Sequence, residues 1–256
     1  MADDFSELCR FAGEAAVEYR MIADGDRILV GASGGKDSFM LLHVLEHLRQ
    51  AAPVKFTFVA ATFDPGYDEF DAPGISGYCR AHGWKHRVVE LDIAGIIAEK
   101  KWEKAPCVLC SRLRRGKLYG LCRELGCNKL ALGHHFDDLA TSFLISLCRG
   151  QGLSTMAPVV PPKSPDKPTI IRPLALAPEA LIARCADAMQ VPRFGLCRYR
   201  EQLGSGDRKY FRDLVDTLAE RIPDLRSNLR RSLARVEHDH LLLLPDGKRS
   251  KTRKAK

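Results

Sequence analysis

Apolar residues along the first 190 positions recur with two alternating periods. Short apolar runs of strand length occupy 26–33, 54–64, 86–93, 128–135 and 169–175. Apolar residues at helical spacing predict helices over 5–20, 36–50, 112–126, 137–150 and 178–189, with two more near 208–220 and 224–236. Strands that alternate with helices predict an α/β fold with a parallel, doubly wound sheet.

The segment Gly150–Pro168 departs from both periods. It contains five prolines, and three of its residues are Ser or Thr. Because proline fixes φ and removes a backbone donor, the segment cannot form a helix or a central strand. We therefore expect a mobile loop near the carboxyl edge of the sheet, where ligands bind in folds of this class.

The net charge of +8 is concentrated at the C-terminal end of the chain. Residues 1–190 carry 23 basic and 23 acidic side chains, whereas residues 191–256 carry 17 and 9. This distribution favours an anionic partner, with nucleic acid first, although the tail could instead be a disordered solubilising segment. We expect a main domain over 1–190, a small basic helical region over 191–245 and a disordered basic tail over 246–256.

Targeting signals and cysteine usage indicate the cell compartment. No apolar run approaches the roughly 18 residues of a membrane span. The first ten residues include early acidic side chains and lack the apolar core of a signal peptide, so we expect a cytoplasmic protein. In that compartment nine cysteines favour metal binding, redox chemistry or buried thiols over disulfides.

The six residues "SGGKDS", Ser33–Ser38, join the first predicted strand to the next helix. Their spacing is one residue short of a Walker A loop, and no hydroxyl follows the lysine directly. The glycines let consecutive N–H groups face one anion, and the helix N-terminus adds its dipole. Lys36 can neutralise phosphate charge, and Asp37 can bind phosphate-bound Mg²⁺. If the loop binds phosphate, its other hydrogen-bond donors to the phosphate oxygens are Ser33, Gly34, Gly35 and Ser38. The alternative is an ordinary strand-to-helix turn that binds no ligand.

Cys107 and Cys110 form a C-x-x-C pair at the start of a predicted helix. That spacing lets two thiolates bind one metal centre, as half of a zinc site, a redox pair or two ligands of an iron–sulfur cluster. The best candidate to complete the site is Cys197, which lies outside periodic apolar sequence and is flanked by arginines. Apolar helix patterns predict buried thiols at Cys122, Cys148 and Cys185, and no partner spacing exists for Cys9, Cys79 and Cys127.

The motif "SGGKDS" is similar to the signature of the PP-loop ATP pyrophosphatases. That resemblance implies cleavage of ATP between the α- and β-phosphates, transfer of AMP to a substrate oxygen and release of pyrophosphate, with Lys36 and Asp37 as the catalytic residues. The motifs "CVLCSRLRRGKLY", "LGHHFDD" and "IIRPLA" follow in that order. Over about residues 5–200 the chain thus resembles the tRNA 2-thiocytidine synthetase family.

The second resemblance implies a [4Fe–4S] cluster held by Cys107, Cys110 and Cys197, with the fourth iron able to carry a sulfide. Relatives often have a second C-x-x-C near Cys197, but Phe194 occupies its earlier position here. One thiol in that region suits a three-cysteine cluster better than a four-cysteine zinc site. The implied partners are tRNA, a sulfur donor such as a cysteine desulfurase, and a second copy of the chain in a homodimer.

The segment "LGHHFDD" ends a predicted strand, and the resemblance places it beside ATP. Gly133 would permit close approach of the nucleotide, and Asp137 or Asp138 would orient Mg²⁺. Two alternatives are a metal site made by the histidines and carboxylates, and a helix-capping role for Asp138. The nucleotide-contacting set that we predict here is Gly133, His134 and Asp138.

Three further residues are weaker candidates. Asp64 ends the second strand, where such folds hold adenine or ribose, and a plain turn residue is its alternative. Arg172 and Lys163 could meet RNA phosphates, although surface solvation is the safer interpretation for Lys163.

The implied reaction is adenylation of the C2 oxygen of cytidine 32 in a tRNA anticodon loop, followed by its replacement with sulfur to give 2-thiocytidine. One alternative is a related PP-loop enzyme that modifies uridine. The other is a non-catalytic protein that binds metal and RNA. Release of AMP and pyrophosphate in the presence of tRNA distinguishes the enzymes from the binding protein.

Overall fold

A computed structural model describes residues 2–67, 69–100, 106–194, 206–237 and 241. The strands are β1 (Arg27–Gly31), β2 (Thr57–Asp64), β3 (His86–Glu90), β4 (Lys129–Ala131), β5 (Val159–Val160) and β6 (Thr169–Ile171). The helices are α1 (Ala2–Glu18), α2 (Lys36–Ala51), α3 (Ala72–Ala81), α4 (Ile93–Lys100), α5 (Pro106–Glu124), α6 (Phe136–Cys148), α7 (Glu179–Ala188), α8 (Asp207–Arg221) and α9 (Leu225–Ala234).

The strands form one sheet in the order β3-β2-β1-β4-β6-β5. All neighbouring pairs are parallel except β5 with β6, which is antiparallel. The central strand β1 is an uninterrupted apolar run because both of its faces are covered: Ile28, Leu29 and Val30 are fully buried. The α/β prediction with a parallel, doubly wound sheet is confirmed, with one short antiparallel edge strand added.

The chain leaves β1 toward β2 on one side, whereas β4 lies on the other side of β1. The crevice between the carboxyl ends of β1 and β4 is therefore the topological switch point of the sheet, where such folds bind ligands. The loop Ser33–Ser38 follows β1, and the histidine–aspartate segment follows β4. The topology thus brings two separately predicted motifs to one edge.

The spacing of apolar residues did not predict helices α3 and α4. Helix α3 has the sequence APGISGYCRA, whose proline and two glycines are poor helix formers. Its first turn is nevertheless stabilised, because the carboxylate of Asp71 accepts a hydrogen bond from the Gly74 N–H at 2.7 Å. Burial of Ile75 and Cys79 against the sheet supplies the rest. Tertiary packing overrides local propensity at this helix.

The chain forms two compact units, residues 1–215 and 216–256. The first unit extends past residue 190, where the change in composition suggested a boundary, because Phe194 packs on the core and Phe211 and Val215 are buried. In the second unit α9 buries no side chain. The tail 246–256 lies outside the described residues.

The proline-rich segment 150–168 contains β5, whose two residues pair at the sheet edge with β6. Edge pairing is compatible with its prolines, so the expectation that it forms neither a helix nor a central strand is confirmed. Among the described residues, no helix is both long and apolar enough to cross a membrane.

Candidate functional site

The loop Ser33–Ser38 turns sharply between β1 and α2. Gly34 has a φ of +83°, a left-handed conformation that glycine adopts without strain. The Ser38 hydroxyl accepts a hydrogen bond from the Ser33 N–H at 3.2 Å and donates one to the Gly35 carbonyl at 2.8 Å. Gly35 is the N-cap of α2, and among the described atoms no side chain caps that helix. The first N–H groups of α2 are thus suited to bind an anion.

The motif after β4 packs directly on the start of α2. A Cβ atom added at Gly133 would lie 3.1 Å from the Asp37 carbonyl oxygen, tighter than ordinary contacts. The described neighbour of Gly133 is therefore the backbone of α2 at Asp37 and Ser38. A contact between Gly133 and a nucleotide stays a prediction.

Lys36 lies between two carboxylates. Its Nζ atom is 2.9 Å from Asp37 Oδ1 and 2.9 Å from Glu179 Oε1. Burial disfavours the ammonium charge, but the carboxylates of Asp37 and Glu179 outweigh burial and raise the pKa of Lys36. Lys36 therefore stays a cation at the first residue of α2, and Glu179, the first residue of α7, belongs to the site.

The charged contacts continue from Glu179 to α8. Arg212 donates from one guanidinium nitrogen to Glu179 Oε2 at 2.8 Å and from the other to Asp138 Oδ1 at 2.9 Å. Arg208, one turn earlier, lies 3.6 Å from the same Asp138 oxygen. The sequence did not predict Glu179, Arg208 and Arg212 as site residues, since nothing in the local pattern around them indicates which distant charges they meet.

Asp137 and Asp138 serve different partners. Asp137 is 5% exposed and accepts a hydrogen bond from the Glu179 N–H at 2.7 Å, so it caps α7. Asp138 accepts a long hydrogen bond of 3.4 Å from the His135 N–H, which agrees with the capping alternative, and it also pairs with Arg212. No group of three or more His, Cys, Asp or Glu residues within the described ranges is arranged to hold a metal ion.

His134 and Arg172 lie close to the charged side chains of Asp138 and, for His134, Arg208. Burial lowers the pKa of His134 to about 4, so its ring is neutral at pH 7. Arg172 is 8% exposed, donates to the Ala157 carbonyl, and has its pKa lowered by burial and then by Arg115. Arg172 is thus an interior residue bonded to the segment that precedes β5, and its contact with RNA phosphates stays a prediction.

The segment after α7 returns to the loop Ser33–Ser38. The Phe194 N–H donates to the Gly34 carbonyl at 3.0 Å. The Phe194 ring packs edge-on against Phe39 and Tyr78, with centroid separations of 5.8 and 6.3 Å. Residue 194 is therefore an anchor on the loop rather than a solvent-facing position.

The cysteines of the described residues differ in how deeply they are buried. Burial raises the pKa of Cys122 to about 12 and that of Cys185 to about 11, as expected for inert interior thiols. Cys148 is exposed at the end of α6, so its predicted burial is wrong. Cys110 is half-buried in the first turns of α5, whose backbone also includes Cys107. The buried remainder, without a predicted role, is Cys9, Cys79 and Cys127; Cys197 lies outside the described residues.

Asp64 lies at the carboxyl end of β2, next to β1 in the sheet. Its carboxylate accepts a hydrogen bond from the Gly66 N–H at 2.9 Å, an arrangement typical of a turn-forming aspartate. The position suits a nucleotide contact, but the described contact is the turn.

Comparison with known proteins places this geometry in context. A family model of the PP-loop domain matches residues 12–215. The chain is 38% identical to a tRNA-cytidine(32) 2-sulfurtransferase of Syntrophotalea carbinolica, covering 93% of this chain and 92% of the relative. It is 39% identical to the protein of the same name from Geotalea uraniireducens, covering 93% and 94%.

Among solved structures, the chain is similar to the U34-tRNA thiolase NcsA from Methanococcus maripaludis with its [4Fe–4S] cluster. The TM-score is 0.71 at 22% identity, and the match covers 91% of this chain and 80% of the other. At that identity the likeness establishes a common fold.

Proposed function

Because this chain belongs to the PP-loop family of the tRNA-cytidine(32) 2-sulfurtransferases, we propose that it is an ATP-dependent tRNA thiolase that converts cytidine 32 to 2-thiocytidine. The observation that carries the proposal is the loop Ser33–Ser38, which we call the phosphate loop, with the Lys36 ammonium held between the carboxylates of Asp37 and Glu179. A cation beside an uncapped helix N-terminus suits a polyphosphate, and adjacent carboxylates suit the Mg²⁺ that accompanies ATP.

The first step of the proposed reaction is adenylation. The C2 oxygen of the cytosine attacks the α-phosphorus of ATP, the bond between that phosphorus and the bridging oxygen breaks, and pyrophosphate leaves with the electron pair. Lys36 and the N–H groups at the start of α2 offset negative charge on the phosphates. Adenylation is needed because oxygen attached to C2 is a poor leaving group, whereas AMP is a good one.

The second step replaces AMP with sulfur. A sulfide attacks C2, and the C2–O bond breaks as AMP departs. A bound [4Fe–4S] cluster with one iron free of cysteine would supply that sulfide. The residues that would hold it are Cys107 and Cys110, the C-x-x-C pair in the first turns of α5, together with Cys197.

Substrate tRNA is expected to bind through its phosphates. The excess of 17 basic over 9 acidic side chains in residues 191–256 supports such contacts, so binding should weaken as salt is raised. A sulfur donor such as a cysteine desulfurase would renew the sulfide, and we retain a homodimer and a cytoplasmic location as further proposals.

The deciding experiment is mass spectrometry of tRNA nucleosides from a strain that lacks the gene. We expect 2-thiocytidine to disappear and to return when the gene is restored. Unchanged 2-thiocytidine with a missing thiouridine would move the activity to uridine. If no thionucleoside is lost and the protein releases no AMP or pyrophosphate with tRNA, it is a binding protein.

A further inference from the structure

Arg212 leaves its own helix to contact two other elements of the site. Its guanidinium joins Glu179 of α7 to Asp138 of α6, at 2.8 and 2.9 Å. Its side chain is 32% exposed, so part of the guanidinium remains open to solvent. Helix α8 is therefore a third wall of the site, beside the phosphate loop and the segment after β4.

Glu179 holds two cations at once. One carboxylate oxygen contacts Lys36 at 2.9 Å and the other contacts Arg212 at 2.8 Å. Burial is the largest single influence on the pKa of Glu179, and it acts to raise that pKa. The effects of Lys36, His135 and Arg212 together outweigh burial, so the pKa of Glu179 is lowered overall. Two cations converge on one anionic position, and two oxygens of a phosphate group present a similar pair of acceptors.

We propose that Arg212 binds the β- and γ-phosphates of ATP and stabilises pyrophosphate as it leaves, an inference that rests on the proposed cleavage of ATP. Lys36 belongs to the phosphate loop, and Arg212 shares a carboxylate with it, so phosphates bound at the start of α2 lie within reach of both. As the α-phosphorus separates from the bridging oxygen, the electron pair moves to the β-phosphate. Arg212 transfers no proton; it offsets the negative charge that develops there.

The neighbouring pair on α8 shows what an ordinary surface contact looks like. Lys209 pairs with Asp213 at 2.6 Å within the same helix, and these side chains are 55% and 58% exposed. Such a pair contributes little and points to no ligand. Lys209 therefore provides a matched control, since neutralising Lys209 or Arg212 removes the same charge from the same helix.

The experiment measures binding of three separate ligands to the purified chain in the presence of Mg²⁺: inorganic pyrophosphate, ATP and AMP. We expect Arg212→Gln to weaken pyrophosphate and ATP by roughly 10- to 100-fold, the loss for a charged hydrogen bond, and to leave AMP unchanged. Arg212→Lys should recover part of the pyrophosphate affinity, and Lys209→Gln should match the wild type for all three ligands.

Other outcomes overturn the inference. Unchanged pyrophosphate affinity in Arg212→Gln would mean that the guanidinium only ties α8 to its neighbours. Equal losses of affinity for AMP and pyrophosphate in Arg212→Gln would indicate general damage to the site. If the wild type does not bind pyrophosphate, the proposal that Arg212 stabilises this product is wrong. None of these binding measurements needs tRNA or a cluster. A failure of the proposed thiolation is detected independently, by mass spectrometry of tRNA nucleosides.

Discussion

The backbone of Phe194 is hydrogen-bonded to the backbone of Gly34, with 3.0 Å between the Phe194 nitrogen and the Gly34 oxygen. The two residues are 160 positions apart, and Cys197 follows only three residues later. The phosphate loop is thus held by the segment that leads to the third cysteine of the proposed cluster. We therefore expect ATP binding to depend on the backbone conformation of Gly34.

We predict that Gly34→Ala abolishes or severely weakens ATP binding. The added Cβ would overlap the Phe194 carbonyl oxygen and lie 3.0 Å from Ile75, and a φ of +83° is itself strained for alanine. The loop must therefore shift or detach from Phe194. Titration with ATP and Mg²⁺ measures the loss.

Gly25→Ala is the control for backbone strain alone. Gly25 has a φ of +80°, but no atom lies within 4 Å of its added Cβ. It should lower stability by roughly 1–2 kcal/mol, with ATP affinity unchanged. Equal ATP affinity in the two variants would show that the contact between Phe194 and Gly34 is not important for the loop.

Asp137 is expected to stabilise the fold by capping α7. Replacing it with alanine leaves the Glu179 N–H without the carboxylate that it meets at 2.7 Å, so the free energy of unfolding should fall by about 1–3 kcal/mol. Asp137→Asn keeps an acceptor oxygen and should lose less. Urea unfolding without nucleotide or Mg²⁺ measures the effect. The control is Asp187→Ala, because Asp187 is an exposed aspartate of α7, the helix that Asp137 caps. Asp137→Ala as stable as Asp187→Ala would refute the capping role.

The cysteine variants should separate ligands from interior thiols. We expect Cys107→Ala, Cys110→Ala and Cys197→Ala to lose iron and 2-thiocytidine formation. Cys122→Ala should keep both, because Cys122 is 1% exposed and the pKa of its thiol is raised to about 12 by burial. Anaerobically purified wild type should be brown, with absorbance near ~400 nm.

Two results would contradict that assignment of ligands. One is equal loss of iron in all four variants. The other is a colourless protein that contains stoichiometric zinc, which would replace the iron–sulfur proposal with a zinc site.

Stability should fall as the solution becomes acidic, and His43 is one identifiable cause. Burial, followed by the nearby His82, lowers the pKa of His43 from 6.5 to about 4, and its Nε2 lies 2.8 Å from the Tyr78 hydroxyl. Between those pKa values the unfolded chain binds a proton that the fold excludes. His43 therefore does not reduce the free energy of unfolding above pH 6.5. As the pH falls from 6.5 toward 4, it lowers that free energy by up to about 1.4 kcal/mol per pH unit.

Chemical unfolding at several pH values tests this slope. His43→Gln should flatten the dependence between pH 6.5 and 4, whereas replacement of exposed His47 should not. An unchanged slope in His43→Gln would assign the acid sensitivity to other groups, such as His134, whose pKa burial also lowers to about 4.

The sequence alone determined the elements whose information is local. The strand β1, the loop Ser33–Ser38 and the start of α2 follow from periodicity, glycine and a short motif, because each depends on neighbours within a few residues. The alternation of strands and helices also predicted the parallel sheet, and hence the shared edge at which the motifs of β1 and β4 meet.

Only the tertiary structure decided which distant side chains complete that edge. Glu179 meets Lys36 across 143 positions, and Arg212 meets Asp138 across 74. A glutamate at the start of one helix and an arginine in a charged region are common surface residues, so nothing in their local sequence distinguishes these two. Their roles arise because packing α7 and α8 beside the phosphate loop places opposite charges within 3 Å.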